Sequence, residues 1–331
     1  MHYEYPEGWF AVAIASEINL GRVVKTQAFG REFVVFRTNM GTIGVLDGRC
    51  PNCGMDLSYK SRVIDEYLQC PFHGTLYGVD GTLSTNATNP NLQRARAWQA
   101  KEIHGLVFIW YSEYSSKPSW EFVVPTEPLD SSWTVTPWSR KEDIHSTLEV
   151  VRQDSADWQH YPFVHGAQDA KVSVQTDSYK LFSQVHFSLE NPKWLGPLHR
   201  LQGHTDHTFH GLGYFTSFGK LWLETNNYML LNYYIGEAVT PIDETNLRMY
   251  MRIGIPRRSN SLSTFLTEQL TKLAIANGLK QERTYWQKRQ FTDTEFKGDE
   301  LLTQYDQWLK RFRPTQKINT RASYQERLTV D

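Results

Sequence analysis

Two short stretches, Cys50-Pro51-Asn52-Cys53-Gly54 and Gln69-Cys70-Pro71-Phe72-His73-Gly74, decide the fold and the chemistry of this chain. Together they present four soft or borderline metal ligands in the spacing C-x2-C-x16-C-x2-H. Two loops that each offer a pair of ligands can close around a tetrahedral or bridged metal site, and a glycine directly after each pair lets the backbone turn tightly. The chain has three cysteines, all in this window. An odd, clustered set in a large chain favours metal binding over a disulfide framework. Buried cysteine also serves as a small apolar residue, but two paired sets completed by a histidine argue for ligation. On spacing alone, the first reading is a structural zinc site of three thiolates and one imidazole.

Outward from this window, the chain has 331 residues, enough for two packed domains with a sizeable core. Apolar residues make up 40% and charged residues 21%, the composition of a soluble globular protein. A formal net charge of −1 gives no electrostatic reason to expect nucleic acid or an anionic membrane as partner. The start, Met1-His2-Tyr3-Glu4-Tyr5-Pro6, lacks the basic and apolar regions of a signal peptide. No run approaches the ~20 apolar residues of a membrane helix, so a cytoplasmic protein is expected. Aromatic residues reach 14%, with eleven tryptophans, which suits a deep apolar pocket or simply a heavily aromatic core.

The chain divides at Ser112-Glu113-Tyr114-Ser115-Ser116-Lys117-Pro118-Ser119, a polar linker-like stretch, giving expected domains 1–115 and 116–331. Before it, Phe33-Val34-Val35-Phe36-Arg37, Ile43-Gly44-Val45-Leu46 and Gly105-Leu106-Val107-Phe108-Ile109-Trp110-Tyr111 read as strands. After it, residues 146–159 have helical spacing that Pro162 should stop. Residues 172–255 alternate polar and apolar as an antiparallel sheet does. A long helix is expected over 263–289, with Leu266, Leu270, Leu273 and Ala274 as its apolar stripe, and a second over 299–312. The tail after Pro314 is polar and expected to be poorly ordered or wrapped on a neighbour.

The second domain opens with Gln153-Asp154-Ser155-Ala156-Asp157-Trp158-Gln159-His160-Tyr161-Pro162-Phe163-Val164-His165-Gly166. Asp157 and His160 stand three apart and share a helix face, and the break at Pro162 lets His165 fold back toward His160. Two imidazoles with a carboxylate from elsewhere form the facial triad of a mononuclear Fe(II) site. A solvated histidine pair is the plainer reading of these residues alone.

The order Cys-Pro-x-x-Gly-x-x-Leu-Ser, then Cys-Pro-Phe-His-Gly-x-x-Tyr-Gly, then Asp-x2-His-x4-His resembles the Rieske-type non-haem iron oxygenases. Pro6-Glu7-Gly8-Trp9-Phe10 and Val35-Phe36-Arg37 match the start of such proteins, and Phe-Val-His-Gly is similar to the branch acting on steroids and other polycyclic compounds. The resemblance spans about residues 6 to 313. It implies an α+β fold: an N-terminal all-β Rieske-like domain and a C-terminal antiparallel sheet covered by helices, a helix-grip arrangement. Cys50, Cys70 and His73 fall on three of the four [2Fe–2S] ligand positions, while Asn52 stands where the motif has its first histidine. Three outcomes stay open: Cys53 as fourth ligand of a three-cysteine, one-histidine cluster, the same residues holding zinc, or an empty site. By the same resemblance His160 and His165 ligate iron. Asp157 bridges by hydrogen bonds between His160 and His73 of the partner subunit, and Gln153 stands at a position usually asparagine. The carboxylate ligand falls on Glu282, ahead of Tyr285-Trp286, where the family carries aspartate; Asp293 and Asp299 are weaker candidates.

The function implied is an oxygenase component. It takes electrons from a separate reductase or ferredoxin, uses O2 to hydroxylate, demethylate or desaturate an apolar substrate, and works as a homotrimer. His204, His207 and Phe209 are candidate lining residues of the substrate pocket. Because Asn52 and Glu282 depart from the family at two separate metal sites, the alternative is a non-catalytic relative that binds a ligand or assembles with an active homologue.

Overall fold

Two strands rich in apolar residues on both faces join the halves of the molecule. In the computed structural model, which describes residues 4–84, 91–123, 130–140, 143–155, 157–190, 200–257, 260–290 and 300–314, Gly8–Ile14 pairs antiparallel with Leu106–Tyr111, and every residue of both is buried. A strand covered on both sides reads as a continuous apolar run because neither face meets water. Ala100–Ile103 completes this three-stranded sheet. Its apolar cluster runs from Trp9, Phe10 and Trp110 to Tyr214, Ala238 and Trp308 of the C-terminal half. Thr240 Oγ1 donates to the Ala11 carbonyl at 2.6 Å, fixing one half to the other.

Val23–Ala28, Arg31–Arg37 and Ile43–Asp47 form a second three-stranded sheet. Its first hairpin turns through Phe29 (φ 52°) and Gly30 (φ 67°), the paired left-handed conformations that match strand twist in a two-residue turn. Phe29 adopts this uncommon conformation while its ring stacks on Tyr111 at 3.7 Å. A third small sheet, Arg62–Ile64, Tyr67–Gln69 and Leu76–Tyr77, carries one of the two cysteine loops. Val34, Phe36, Leu57, Leu68 and Tyr77 pack there around Cys50 and Cys70 as a separate apolar cluster.

Among the described residues the C-terminal sheet has nine strands. Six are long and run as an antiparallel meander: Ala167–Asp177, Lys180–Glu190, Arg200–His210, Tyr214–Leu223, Met229–Pro241 and Asn246–Pro256. Leu181, Ser183 and Val185 face inward while Phe182, Gln184 and His186 face out, the period-two pattern that identified the sheet. Helices Leu148–Asp154, Ser261–Trp286 and Glu300–Lys310 cover the inner face.

Two helix expectations are corrected. The 146–159 segment is a short helix, Leu148–Asp154, followed by a 3-10 turn, Trp158–His160, and a further turn, Tyr161–Val164. Pro162 stands at the start of that last turn and does not end it, because the first helical positions need no N–H donor. In Ser261–Trp286 the leucines of the predicted stripe are on the wrong side: Leu266, Leu270 and Leu273 are exposed, while Ala274 borders the cavity beneath the helix. The face toward the sheet is Thr271, Ile275, Leu279, Glu282 and Trp286, which repeats every three or four residues but includes polar positions. The predicted residue Asp299 and the tail after Pro314 lie outside the described residues. Trp308→Ala, which empties a fully buried site, should cost about 3–5 kcal/mol of stability. Leu270→Gln on the exposed side should change it by less than about 0.5 kcal/mol. Urea unfolding of both variants checks this assignment of the helix faces.

Candidate metal centres

The two cysteine loops are built alike. The Cys50 amide donates to the Met55 carbonyl and the Gly54 amide returns to the Cys50 carbonyl, both at 2.8 Å. The Cys70 amide donates to Thr75 at 2.8 Å and Gly74 returns to Cys70 at 3.0 Å. Gly54 (φ 70°) and Gly74 (φ 74°) adopt the left-handed conformation that closes each loop. The sulfurs of Cys50, Cys53 and Cys70 lie within 4.8 Å of one another, with Cys53 Sγ 3.8 Å from Cys70 Sγ. Burial alone would raise the Cys50 thiol, but the Tyr77 hydroxyl at 3.1 Å and backbone amides of its loop outweigh it and lower it. Burial pushes the Cys70 thiol up to about 11. His73 is exposed at the tip of its loop, its ring 4.5 Å from that of Phe72.

Asn52 is engaged elsewhere. Its Nδ2 donates to the Tyr77 hydroxyl at 2.7 Å and to the Gln93 carbonyl at 3.0 Å, while its Oδ1 accepts from the Gln93 amide at 2.7 Å. An amide side chain with both ends hydrogen-bonded ties the loop down and leaves the donor set of this corner to sulfur.

Across the molecule, His160, His165 and Glu282 form a second group with ligand atoms within 4.8 Å. His160 Nε2 is 3.3 Å from His165 Nε2. Glu282 Oε1 lies 2.6 Å from His165 Nε2 and 3.6 Å from His160 Nε2. Asp157 starts the turn that carries His160 by accepting from the Gln159 amide at 3.1 Å. The next turn swings His165 back, and the long helix delivers Glu282 from above. Burial would raise the Glu282 carboxyl, but the two histidine rings, at 2.6 and 3.6 Å from Oε1, outweigh this and hold it well below the usual carboxylate range. Burial would lower His160, yet Glu282 and Asp154 outweigh it and raise its pKa. Glu282 Oε2 and His160 Nδ1 are buried with no hydrogen-bond partner among the described residues. Two imidazole nitrogens and a carboxylate oxygen aimed at one point are the donor set that a divalent iron takes.

Sequence reasoning missed the clasp behind this group. Asp154 Oδ1 is 3.8 Å from His160 Nδ1. Trp286 Nε1 donates to Asp154 Oδ2 at 2.8 Å and Arg289 NH1 to Asp154 Oδ1 at 3.1 Å. Burial and the neighbouring Glu282 raise the Asp154 carboxyl to about 7. Arg289 NH2 also donates to Gln153 Oε1 at 2.9 Å and lies 3.9 Å from Asp157 Oδ2. The i, i+3 argument drew attention to Asp157; the helix ends at Asp154, whose carboxylate also stands near His160. Asp293 lies outside the described residues.

His160, Glu282 and Trp286 line a cavity of about 360 Å³ between the sheet and the long helix, within the ordinary range for small-molecule pockets. Phe187, Leu231, Ile235, Met251 and Leu279 give it a mainly apolar wall. Of the three lining candidates His207 is on that wall. His204 faces the other side of the sheet, where it meets His186 and Asp206, and Phe209 is fully buried beneath Tyr305 and Trp308. Glu237, also on the wall, is paired with fully buried Arg152 at 3.1 Å. Burial raises its carboxyl, and Arg152 offsets only part of this.

Comparison with known proteins matches residues 8–97 to the Rieske [2Fe-2S] domain and residues 109–312 to the 3-ketosteroid 9alpha-hydroxylase C-terminal domain. A cholesterol 7-desaturase of Bombyx mori is 24% identical over 98% of this chain and 73% of its own length. A probable 3-ketosteroid-9-alpha-monooxygenase, oxygenase component, of Rhodococcus rhodochrous is 25% identical over 93% of this chain and 80% of its own. The crystal structure of dicamba monooxygenase bound to 3,6-dichlorosalicylic acid superposes with a TM-score of 0.69 at 13% identity, covering 94% of this chain and 98% of that one. With both domain families matched in order along one chain, and with this architecture, the protein belongs to the Rieske-type non-haem iron oxygenases and is an oxidoreductase.

Proposed function

We propose that this chain is an oxygenase component in which His160, His165 and Glu282 hold a mononuclear Fe(II), and Cys50, Cys53, Cys70 and His73 hold the [2Fe–2S] cluster. The observation that carries the proposal is the convergence of two imidazoles and one carboxylate at an apolar cavity. Bound there, iron supplies dioxygen activation, and the cluster supplies single electrons drawn from a separate reductase or ferredoxin. The protein's own residues bind and orient. The wall of Phe187, Leu231 and Met251 takes up an apolar substrate and excludes water, and Asp154, gripped by Trp286 and Arg289, keeps the His160 ring facing the donor group.

The substrate class proposed is a steroid or similarly fused ring system, in line with the relatives named for cholesterol and for 3-ketosteroids. Hydroxylation and desaturation at a ring carbon both stand within it. A homotrimer is proposed as well, with the exposed His73 and Phe72 of one subunit meeting the Asp157 side of the next. For the cluster, Cys53 as fourth ligand is favoured over zinc or an empty site. It lies with Cys50 and Cys70, whereas Asn52 is held by Tyr77 and Gln93.

Protein purified without oxygen should be red-brown, contain iron and acid-labile sulfide, and give an EPR signal on reduction. Zinc without sulfide overturns the electron-transfer half of the proposal. Cys53→Ser should bleach the protein. Asn52→Ala should keep its colour while losing about 1 kcal/mol of stability, as removal of a hydrogen-bonded tether does.

At the second centre, Glu282→Ala should weaken Fe(II) binding by more than about 100-fold, beyond the loss usual for an outer partner of a ligand. Glu282→Asp should weaken it too, since the shorter side chain gives up about 1.5 Å of reach. Titration of metal-free protein with Fe(II) checks both.

Metal binding also needs a neutral His160. Because the His160 pKa is raised, protonation begins at higher pH than for a free imidazole. Co(II) affinity measured by calorimetry should therefore fall as the pH is lowered, starting at a higher pH than an unperturbed imidazole would give, and be regained on the alkaline side.

A further inference from the structure

His207 is an imidazole with no hydrogen-bond partner among the described residues. It lies on the inward face of Arg200–His210, between Ser183 and Ser217 on the adjacent strands. Its ring stacks on Phe215 with centroids 5.3 Å apart and planes 23° from parallel. Both ring nitrogens are out of reach of solvent, and neither has a hydrogen-bond partner among the described residues. Burial pushes its pKa down to about 4, so the ring is neutral, with one N–H and one bare nitrogen. Buried polar atoms without partners are few in native proteins, and each one needs a reason. Two of the others, Glu282 Oε2 and His160 Nδ1, belong to the metal centre. His207 is far from needing such a role, yet it borders the same cavity.

We propose that His207 is the specificity residue that hydrogen-bonds an uncharged oxygen, a hydroxyl or carbonyl, on the polycyclic substrate held in this cavity. The inference rests on the cavity being the substrate site, as proposed above. A neutral imidazole can donate to either kind of oxygen and can accept from a hydroxyl. Charge on the ligand is not what this ring selects: a neutral imidazole gives an ion little, and the charged side chains of the wall are placed apart from it, with Glu237 paired to Arg152, Glu282 in the ligand group and Lys220 as the one cation among the described lining residues. An apolar wall with one or two placed polar groups is how pockets fix the orientation of a mainly hydrocarbon ligand. The oxygen on His207 therefore sets which ring carbon is turned toward His160, His165 and Glu282.

The test is ligand discrimination, read by quenching of tryptophan fluorescence, since Trp286 lines the cavity. Iron-loaded protein is titrated with a steroid alcohol, the matching ketone and the parent hydrocarbon androstane. The wild type should bind both oxygenated compounds about fivefold more tightly than the hydrocarbon, the factor expected for one hydrogen bond net of the water bonds that the ligand oxygen gives up. In His207→Phe, which keeps the stack on Phe215, the three affinities should converge, while androstane binds no worse and iron content is unchanged. His207→Gln, which keeps a donor and an acceptor, should retain part of the preference. It also carries the test if the phenylalanine variant fails to fold. A His207→Phe protein that still prefers the oxygenated ligands, or a wild type that binds all three equally, overturns the role of His207 while leaving the cavity as substrate site. Binding of none of the three by the wild type overturns the cavity reading and the inference together.

Discussion

The junction between the end of the long helix and the segment carrying the histidines is the constraint on which the rest of the catalytic half depends. Ser146 Oγ donates to the Trp286 carbonyl at 3.0 Å, Arg283 NH2 to the Asp143 carbonyl at 2.9 Å, and Trp286 Nε1 to Asp154. Arg289 then grips Gln153 and Asp154 together. These bonds fix the rotation of the helix about its axis. With Trp286 inward, Glu282 one turn earlier is inward too, and Leu279, Ile275 and Thr271 follow down the same side. The cavity exists because that face bridges the sheet and leaves space beneath it. A rotation that buried Leu266, Leu270 and Leu273 would carry Glu282 away from His165.

The same rotation accounts for a glutamate ligand candidate where aspartate is usual. Oε1 of Glu282 already reaches 2.6 Å from His165 Nε2 with the helix clasped at Trp286 and Arg289. The glutamate reaches His165 from the helix as it stands, so the longer side chain by itself is no sign of a disabled centre. The buried Arg152–Glu237 pair has the opposite character. A buried pair gives uncertain net stability, but it keeps a carboxylate on the cavity wall whose removal would leave Arg152 unpaired at the base of the helix Leu148–Asp154.

Much of this was legible in the residues because ligand spacing is a local property. Cys50, Cys53 and Cys70 converge as loops of that length require, and His160 and His165 meet across the turn after Tyr161. What periodicity could not give was which side of a helix is covered. The leucine stripe of Ser261–Trp286 is more apolar than the face that packs, and the inward face carries Thr271 and Glu282 for reasons of the site. Asp154 was hidden because the spacing argument assumed an unbroken helix through His160. The separation of His204 from His207 was available in principle: strand residues alternate sides, so the two cannot share a face. Phe209 shares His207's side but lies under the C-terminal helix at Tyr305 and Trp308.

Asn52 and Cys53 are best understood as one change. A histidine at position 52 would occupy the corner where Asn52 now binds Tyr77 and Gln93, and those bonds anchor the loop that brings Cys53 toward Cys70. Exchanging an imidazole for a thiolate adds negative charge to any cluster held there, which lowers its reduction potential. The Tyr77 hydroxyl on Cys50 Sγ at 3.1 Å acts in the other direction, since a hydrogen bond to a ligand sulfur raises it. Tyr77 is itself held by Asn52 at 2.7 Å. With Cys53 as the proposed ligand, Asn52 would therefore position the group that offsets part of the charge its neighbour would bring.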